Sequence, residues 1–301
     1  MIVYMAGGLG NQMFEYAYAR TIQERTGVPL YLDCSELKFH GYEGRKYSLD
    51  KLNIRKENIR VRDNTLKYIY FKFMKKMISK IHSNLDDNRM SELFDRKGMV
   101  ISTNTYKFYN HRIHSKTKYM YGNFQSWKYF EEINDLICNE LRVIAGQTQQ
   151  NTLIEKEIKS VNSVCVHIRR GDYVSDPAWK QLNICDYTYY IKGLKLVSEL
   201  VSNPVFFIFS NSNDDIRWIK ENYNFKGFEI KYVDIDNPDY EELRLMSACK
   251  HFIISNSTFS WWAQHLAENK EKIVVAPKIW NREEEADDLY EDGWLTISTE
   301  G

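Results

Sequence analysis

The sequence has no surplus of charge: 41 lysines and arginines balance 41 aspartates and glutamates. A chain so balanced has no general field to gather nucleic acid or any other polyanion, so anions must be met by local clusters. Cysteine is sparse too. The five (Cys34, Cys138, Cys165, Cys185, Cys249) are odd in number, widely spaced and without a Cys-x-x-Cys pair, which argues against a disulfide framework or a zinc knuckle and for a reducing compartment. No apolar run is long enough to span a bilayer. Met1 is followed at once by Ile-Val-Tyr-Met and a glycine-rich turn, with no basic leader and no cleavage site, so a cytoplasmic protein is expected. His111 and His114 could face one metal from a helix, but two solvent-side histidines explain them more simply.

What is present fits a globular protein. The 301 residues are 43% apolar and 14% aromatic, enough chain for two domains with a core each. Tyrosine occurs 21 times, and such rings stack on sugars and bases as well as filling cores.

The chemistry gathers at Val164-Cys-Val-His167-Ile-Arg169-Arg170-Gly171-Asp172-Tyr173. Val164, Val166 and Ile168 read as a strand covered on its faces in a parallel sheet. It runs directly into charge. A planar guanidinium donates two parallel hydrogen bonds and suits phosphate oxygens, Gly171 permits the turn, and Asp172 can accept from an arginine or orient it. A salt-bridged surface pair is the plainer alternative.

At the amino terminus, Ile2–Ala6 reads as a strand and Gly7-Gly8-Leu9-Gly10-Asn11-Gln12-Met13-Phe14 as a tight turn opening a helix to about Thr26. Met13 stands where a dinucleotide fingerprint wants glycine, and no Gly-Lys-Ser/Thr follows for a P-loop. Backbone amides at an unobstructed helix start remain, suited to an anionic or hydroxyl-bearing ligand. The strand Pro29–Asp33 ends in an acid that caps the strand or faces a ligand. Over 66–81, Leu66, Ile69, Tyr70, Phe73, Met77 and Ile81 share one helical face, with Lys72, Lys75 and Lys76 away from it. That face packs on the core or lies on an anionic membrane. Tyr121-Gly-Asn-Phe-Gln-Ser-Trp127-Lys-Tyr-Phe130 offers aromatics beside Asn123 and Gln125 for a sugar cleft, or for a core. Gly146-Gln-Thr-Gln-Gln-Asn reads as the linker.

In the carboxy-terminal half strands and helices alternate, which predicts a parallel sheet with right-handed crossovers. Asn211, Asp214 and Asp215 follow a strand and cap the next helix or face a ligand. Asp234-Ile-Asp236 could hold a metal–nucleotide pair, although the Asn237-Pro238-Asp239 that follows suffices as a helix start. Ser255, Asn256, Ser257 and Thr258 put donors at a helix amino terminus, where a phosphate is favoured, and Phe259 offers a flat surface to a base or ribose. Trp261 and Trp262 read as packing residues.

Three of these stretches, Gly7–Phe14, His167–Tyr173 and Met246–Ala263, resemble the motifs of the bacterial α-1,2-fucosyltransferases of glycosyltransferase family 11, relatives of the α-1,6- and protein O-fucosyltransferases. The segment 121–130 is similar to the family's as well, while Phe209–Trp218 departs from its pattern by a Ser-Asn. The resemblance implies a GT-B-like α/β fold, two Rossmann-like domains facing across a cleft: residues 1–148 on the acceptor side and 149–301 binding GDP-fucose. It implies inverting transfer of L-fucose to the 2-hydroxyl of a terminal galactose, on an oligosaccharide or a lipid-linked glycan. Arg169, Asp172 and His167 are then the catalytic residues. Gly8, Gly10, Asn11, Arg169, Arg170, Asn211, Ser255, Asn256, Ser257, Thr258 and Phe259 are the donor-binding ones. No metal, cofactor or nucleic acid is expected, and membrane contact through 66–81 would be peripheral, at the cytoplasmic face. Animal enzymes of related activity are anchored, so a chain without an anchor is expected to be of the bacterial type. The alternatives are a non-catalytic sugar-nucleotide-binding module, or a metal-dependent transferase using Asp234 and Asp236.

Overall fold

Short runs of β-branched and aromatic residues make the strands, and most are buried along their length. A computed structural model describes residues 1–39, 46–57, 59–114 and 116–299, apart from the side chains of Asp172, Ser175, Ala178, Trp179 and Lys180. By packing, the chain divides into two units, Met1–Leu141 with Asp287–Leu289, and Arg142–Ala286 with Tyr290–Gly301.

Unit 1 contains β1 (Ile2–Tyr4), α1 (Leu9–Thr26), β2 (Leu30–Asp33), β3 (Ile59–Arg62), α2 (Thr65–Ile81), α3 (Asp87–Arg96), β4 (Met99–Ile101), β5 (Tyr119–Tyr121) and α4 (Asn134–Glu140). Its sheet has the order β3-β2-β1-β5-β4 with every pair parallel. β1 is central, with Ile2 opposite Tyr31 on one side and Tyr119 on the other. The edge strand β3 is charged at every second position, Arg60 and Arg62.

α1 is buried nearly all round, from Leu9 to Gln23, and its polar members are satisfied internally as burial requires. The Glu15 carboxylate accepts from the Ala6 amide at 3.0 and 3.2 Å. Arg20 makes a two-point pair with Glu140 of α4, both contacts at 2.9 Å, and Tyr16 donates to the same carboxylate.

α2 differs from its sequence reading. It packs through Tyr68, Phe71 and Ile78, with Met74 against the same cluster as Tyr4, Phe94 and Ile101. The face of Leu66, Ile69, Tyr70, Phe73, Met77 and Ile81 is the exposed one. The helix carries two apolar faces, and the aromatic one is inside. Among the described residues, no helix is long and apolar enough to cross a membrane.

Unit 2 contains α5 (Gln149–Ser160), β6 (Asn162–His167), α6 (Gly171–Ser175), α7 (Tyr187–Leu200), β7 (Pro204–Phe209), α8 (Asn213–Asn222), β8 (Glu229–Tyr232), α9 (Asp239–Ser247), β9 (His251–Ile253), α10 (Thr258–His265), β10 (Val274–Pro277) and β11 (Leu295–Ile297). The division by packing falls a few residues ahead of the boundary drawn from the sequence. Part of the expected linker is helix: the Thr148 hydroxyl accepts from the Asn151 amide and caps α5. The sheet order is β11-β10-β9-β6-β7-β8, all parallel. Its core runs from Val164, Val166 and Ile168 to Tyr189, Tyr190, Leu194, Phe206, Ile208 and Ile253.

Candidate functional site

The strand order of unit 2 runs outward from β6 through β7 to β8, then restarts on the other side of β6 with β9. Between the carboxyl ends of β6 and β9 the connections part in opposite directions, and open parallel sheets take ligands at such a point. The two stretches singled out from the sequence meet here: His167–Gly171 leaves β6 and Ser255–Thr258 leaves β9. Neighbours hold both strand ends in place. The Tyr190 hydroxyl donates to the His167 carbonyl at 3.2 Å, Tyr189 to the Ile254 carbonyl at 2.6 Å, and Ser210 to the Ile168 carbonyl at 2.7 Å.

His167 is buried, with Nδ1 3.1 Å from the Ser255 hydroxyl and its ring 6.0 Å from that of Phe259. Burial, with the Arg169 charge beside it, lowers the imidazole to about 3. His167 is therefore neutral near pH 7. It can offer a neutral N–H or a lone pair, but not a positive charge.

The two arginines are in different surroundings. Arg169 is half-buried, its guanidinium 5.1 Å over the Tyr173 ring. Arg170 is engaged by the protein: its Nε lies 3.2 Å from the Asp215 carboxylate and its guanidinium stacks 3.3 Å over the Trp218 ring. Its amide donates to the Asn211 side chain at 2.9 Å. Arg170 and Asn211, which the sequence assigns to the donor, are joined to each other, and Arg170 to Asp215 and Trp218 of α8, so the turn after β6 is tied to α8. Asp215 is a carboxylate on Arg170; the Asp172 side chain lies outside the described residues. Gly171 sits at φ +39°, and a Cβ there would meet Asn211 at 3.2 Å, so the turn needs glycine.

The serine turn divides in the same manner. Asn256 is buried, and its amide donates to the carbonyls of Leu182 and Trp280 at 2.8 and 2.9 Å. Its own carbonyl accepts from the Tyr173 hydroxyl, so this side chain shapes the turn rather than presenting itself outward. Ser257 caps α10, accepting from the Phe259 amide at 3.3 Å. Ser260 ties back to the Ser255 and Ser257 carbonyls, both at 3.1 Å. Thr258 and Phe259, on the first turn of α10, are half-buried. Trp261 and Trp262 are fully buried packing residues.

Unit 1 has a counterpart between β1 and β5. Gly7 has φ +69°, and a Cβ there would meet the Asn11 amide at 2.4 Å. Gly7 thus answers to conformation. Gly8, the residue before α1, has an ordinary extended backbone, and a Cβ on it would meet nothing within 4 Å. Gly10 lies within the first turn of α1. Gln12 donates to the Gly7 carbonyl at 3.1 Å, and Gln125, from the aromatic segment after β5, donates to Asn11 at 3.2 Å. That segment is strained: Gly122 has φ +130° and Phe124, fully buried, φ +47°. Asp33 is buried and caps the turn after β2 through the Ser35 amide.

The two metal alternatives have other partners. Asp234 pairs with Lys220 at 2.7 Å. His111 is buried on the Asp95 carboxylate at 2.7 Å and His114 bonds the Asp95 carbonyl at 2.8 Å, so neither is simply solvent-facing. Among the described residues, no group of three His, Cys, Asp or Glu is placed to hold a metal. Sequence reasoning passed over Tyr189, Tyr190 and Trp218 as individuals. The adjacent tyrosine pair on an apolar helix was the available signal, since buried hydroxyls need partners.

The chain is similar to known proteins in sequence and in fold. The chain is 33% identical to an alpha-1,2-colitosyltransferase of Escherichia coli across 99% of this chain and 98% of that one. It is 33% identical to the galactoside alpha-(1,2)-fucosyltransferase 2 of Rattus norvegicus over 47% of this chain and 42% of that one. In fold it is similar to the fucosyltransferase NodZ from Bradyrhizobium, with a TM-score of 0.51 at 12% identity over 93% of this chain and 94% of that one. That likeness places the two parallel-sheet domains in the GT-B-like class. The family model for glycosyl transferase family 11 matches residues 1–298, and the chain belongs to that family.

Proposed function

We propose that the protein is an inverting glycosyltransferase that moves L-fucose from GDP-β-L-fucose to the 2-hydroxyl of a galactose-terminated oligosaccharide or lipid-linked glycan, forming an α link. The observation that carries this reading is the pairing of Arg169 with the hydroxyl-rich turn on either side of the β6–β9 switch point. A diphosphate is met there by a guanidinium, the start of α10 and the hydroxyl of Thr258, while Phe259 offers its ring to ribose or base. As the acceptor oxygen bonds to the anomeric carbon, the bond from that carbon to the β-phosphate oxygen breaks and charge grows on the phosphate. Arg169 takes up that charge. Neutral His167, fixed by Ser255, can donate to the leaving group but not neutralise it. The hydroxyl proton goes to a base, for which Asp172 is the candidate. In unit 1, Gly8, Gly10 and Asn11 offer a second set of polar groups for sugar hydroxyls. The chemistry proposed calls on no metal.

A second donor is favoured by one observation, the full-length likeness to a colitosyltransferase. Colitose is fucose without its 3-hydroxyl. A site that hydrogen-bonds a hydroxyl rejects the analogue lacking it by about 10⁴–10⁵, whereas a merely apolar site rejects the added hydroxyl by only about 10². The test is GDP release from GDP-fucose, GDP-colitose and GDP-mannose, with lactose and N-acetyllactosamine as acceptors and EDTA present. Acceptor-dependent release from GDP-fucose, undiminished by EDTA, is expected. Strong preference for GDP-colitose would replace the donor, release only without EDTA would make the enzyme metal-dependent, and tight GDP-fucose binding without turnover on a broad glycan panel would favour a binding module.

A further inference from the structure

The outer face of α2 serves no purpose in the donor site or in the fold. Six residues, Leu66, Ile69, Tyr70, Phe73, Met77 and Ile81, are between 43% and 83% exposed. At 100° per residue they fall in one stripe about 120° wide, and from 66 to 81 it runs about 22 Å. A continuous apolar ridge of this kind on a monomer marks an interaction surface. The helix also holds five lysines and no acid. Lys72 and Lys75 turn inward over the Tyr121 ring, at 4.6 and 4.9 Å. Lys67, Lys76 and Lys80 are exposed; Lys67 and Lys76 flank the stripe on its two sides, and Lys80 lies within it near its carboxy-terminal end.

We propose that this face docks on an anionic lipid surface. The charge pattern selects the occupant. A second copy meeting the first through a two-fold axis would bring the same lysines against one another with no acid on the helix to receive them. Anionic headgroups complement them, and lysine stems reach from the edges of an apolar stripe to headgroup level while the stripe enters the acyl boundary. The inner face, held by Tyr68, Phe71 and Ile78, keeps the helix parallel to the surface it covers.

The experiment is co-sedimentation of the full chain with vesicles of phosphatidylcholine alone or mixed with phosphatidylglycerol. Binding is expected only where phosphatidylglycerol is present, and it should weaken with salt. Replacing Lys67, Lys76 and Lys80 by Gln should reduce it about fivefold per lysine. Leu66→Ser with Phe73→Ser should reduce it about tenfold or more per residue, with the far-ultraviolet spectrum and melting temperature of both variants unchanged. No binding to phosphatidylglycerol, equal binding to both vesicles, or binding retained in both variants would overturn the proposal. A dimer by light scattering that separates on Leu66→Ser with Phe73→Ser would give the face to a second copy instead.

Discussion

Arg169 and Arg170 are chemically equal candidates for a diphosphate, and only their neighbours separate them. Arg170 is taken up by Asp215 and Trp218, contacts that no spacing in the sequence announces because they arrive from α8. Arg169→Ala, at the end of β6 beside His167, is expected to lower turnover by about 10²–10³ with an unchanged melting temperature. Arg170→Ala should instead destabilise the fold by about 1–3 kcal/mol through the lost stacking and ion pair. Turnover and thermal melts of the two purified variants distinguish them, and a stable Arg170→Ala protein that has lost GDP binding would reverse the assignment. Gly171→Ala should cost about 1–2 kcal/mol, the penalty for a side chain in left-handed backbone, since φ there is +39°. The sequence shows which residues carry charge and hydroxyls; which of them the protein uses internally depends on tertiary partners.

At the scale of elements, both turns after the central strands were legible, because a glycine or serine cluster between an apolar strand and a helical period marks the turn that opens the helix. The orientation of α2 was not. Its two faces are both apolar, and periodicity cannot say which is inside. α7 belongs to the alternation of strand and helix, but its function in the site depends on single hydroxyls. Tyr189 and Tyr190 bond the carbonyls at the ends of β9 and β6, so α7 sets the spacing between the strands that frame the switch point. Tyr189→Phe and Tyr190→Phe should each cost about 1 kcal/mol. They should also lower kcat/KM by about tenfold, short of the roughly 10² that a 1 Å misplacement brings. Tyr187, exposed and bonded to the Asn224 carbonyl, is the control. Equal kinetics in all three phenylalanine variants would show that α7 does not position the site.

For the whole molecule, alternation of strand and helix predicted a parallel sheet in the carboxy-terminal half and the family resemblance a second α/β domain, but strand order, and with it the switch points, comes only from pairing. Two buried groups of unit 2 respond to pH in opposite directions. In unit 2, burial and the Glu241 charge raise the Glu242 carboxyl to about 7, against the opposing Asn237 hydrogen bond. Its ordinary value is 4.5. From pH 4.5 to 7 the folded state keeps the proton that the unfolded state has released, so this contribution is complete below that window and is lost as pH rises through it. His167 works in the other direction. Its imidazole falls from 6.5 to about 3, so over that range the unfolded state binds the extra proton and stability grows with pH. Between the two values 4.5 and 6.5 the effects oppose each other, and wild-type stability should change less with pH than either alone dictates. Glu242→Gln removes one of them. Relative to wild type the variant should gain stability steadily as pH rises through the Glu242 window and then hold a constant advantage above it. Urea unfolding followed by hydrogen exchange, with unit 1 amides as the internal reference, reads this directly. A difference between variant and wild type that does not change with pH would mean that Glu242 ionises alike in the folded and unfolded chain.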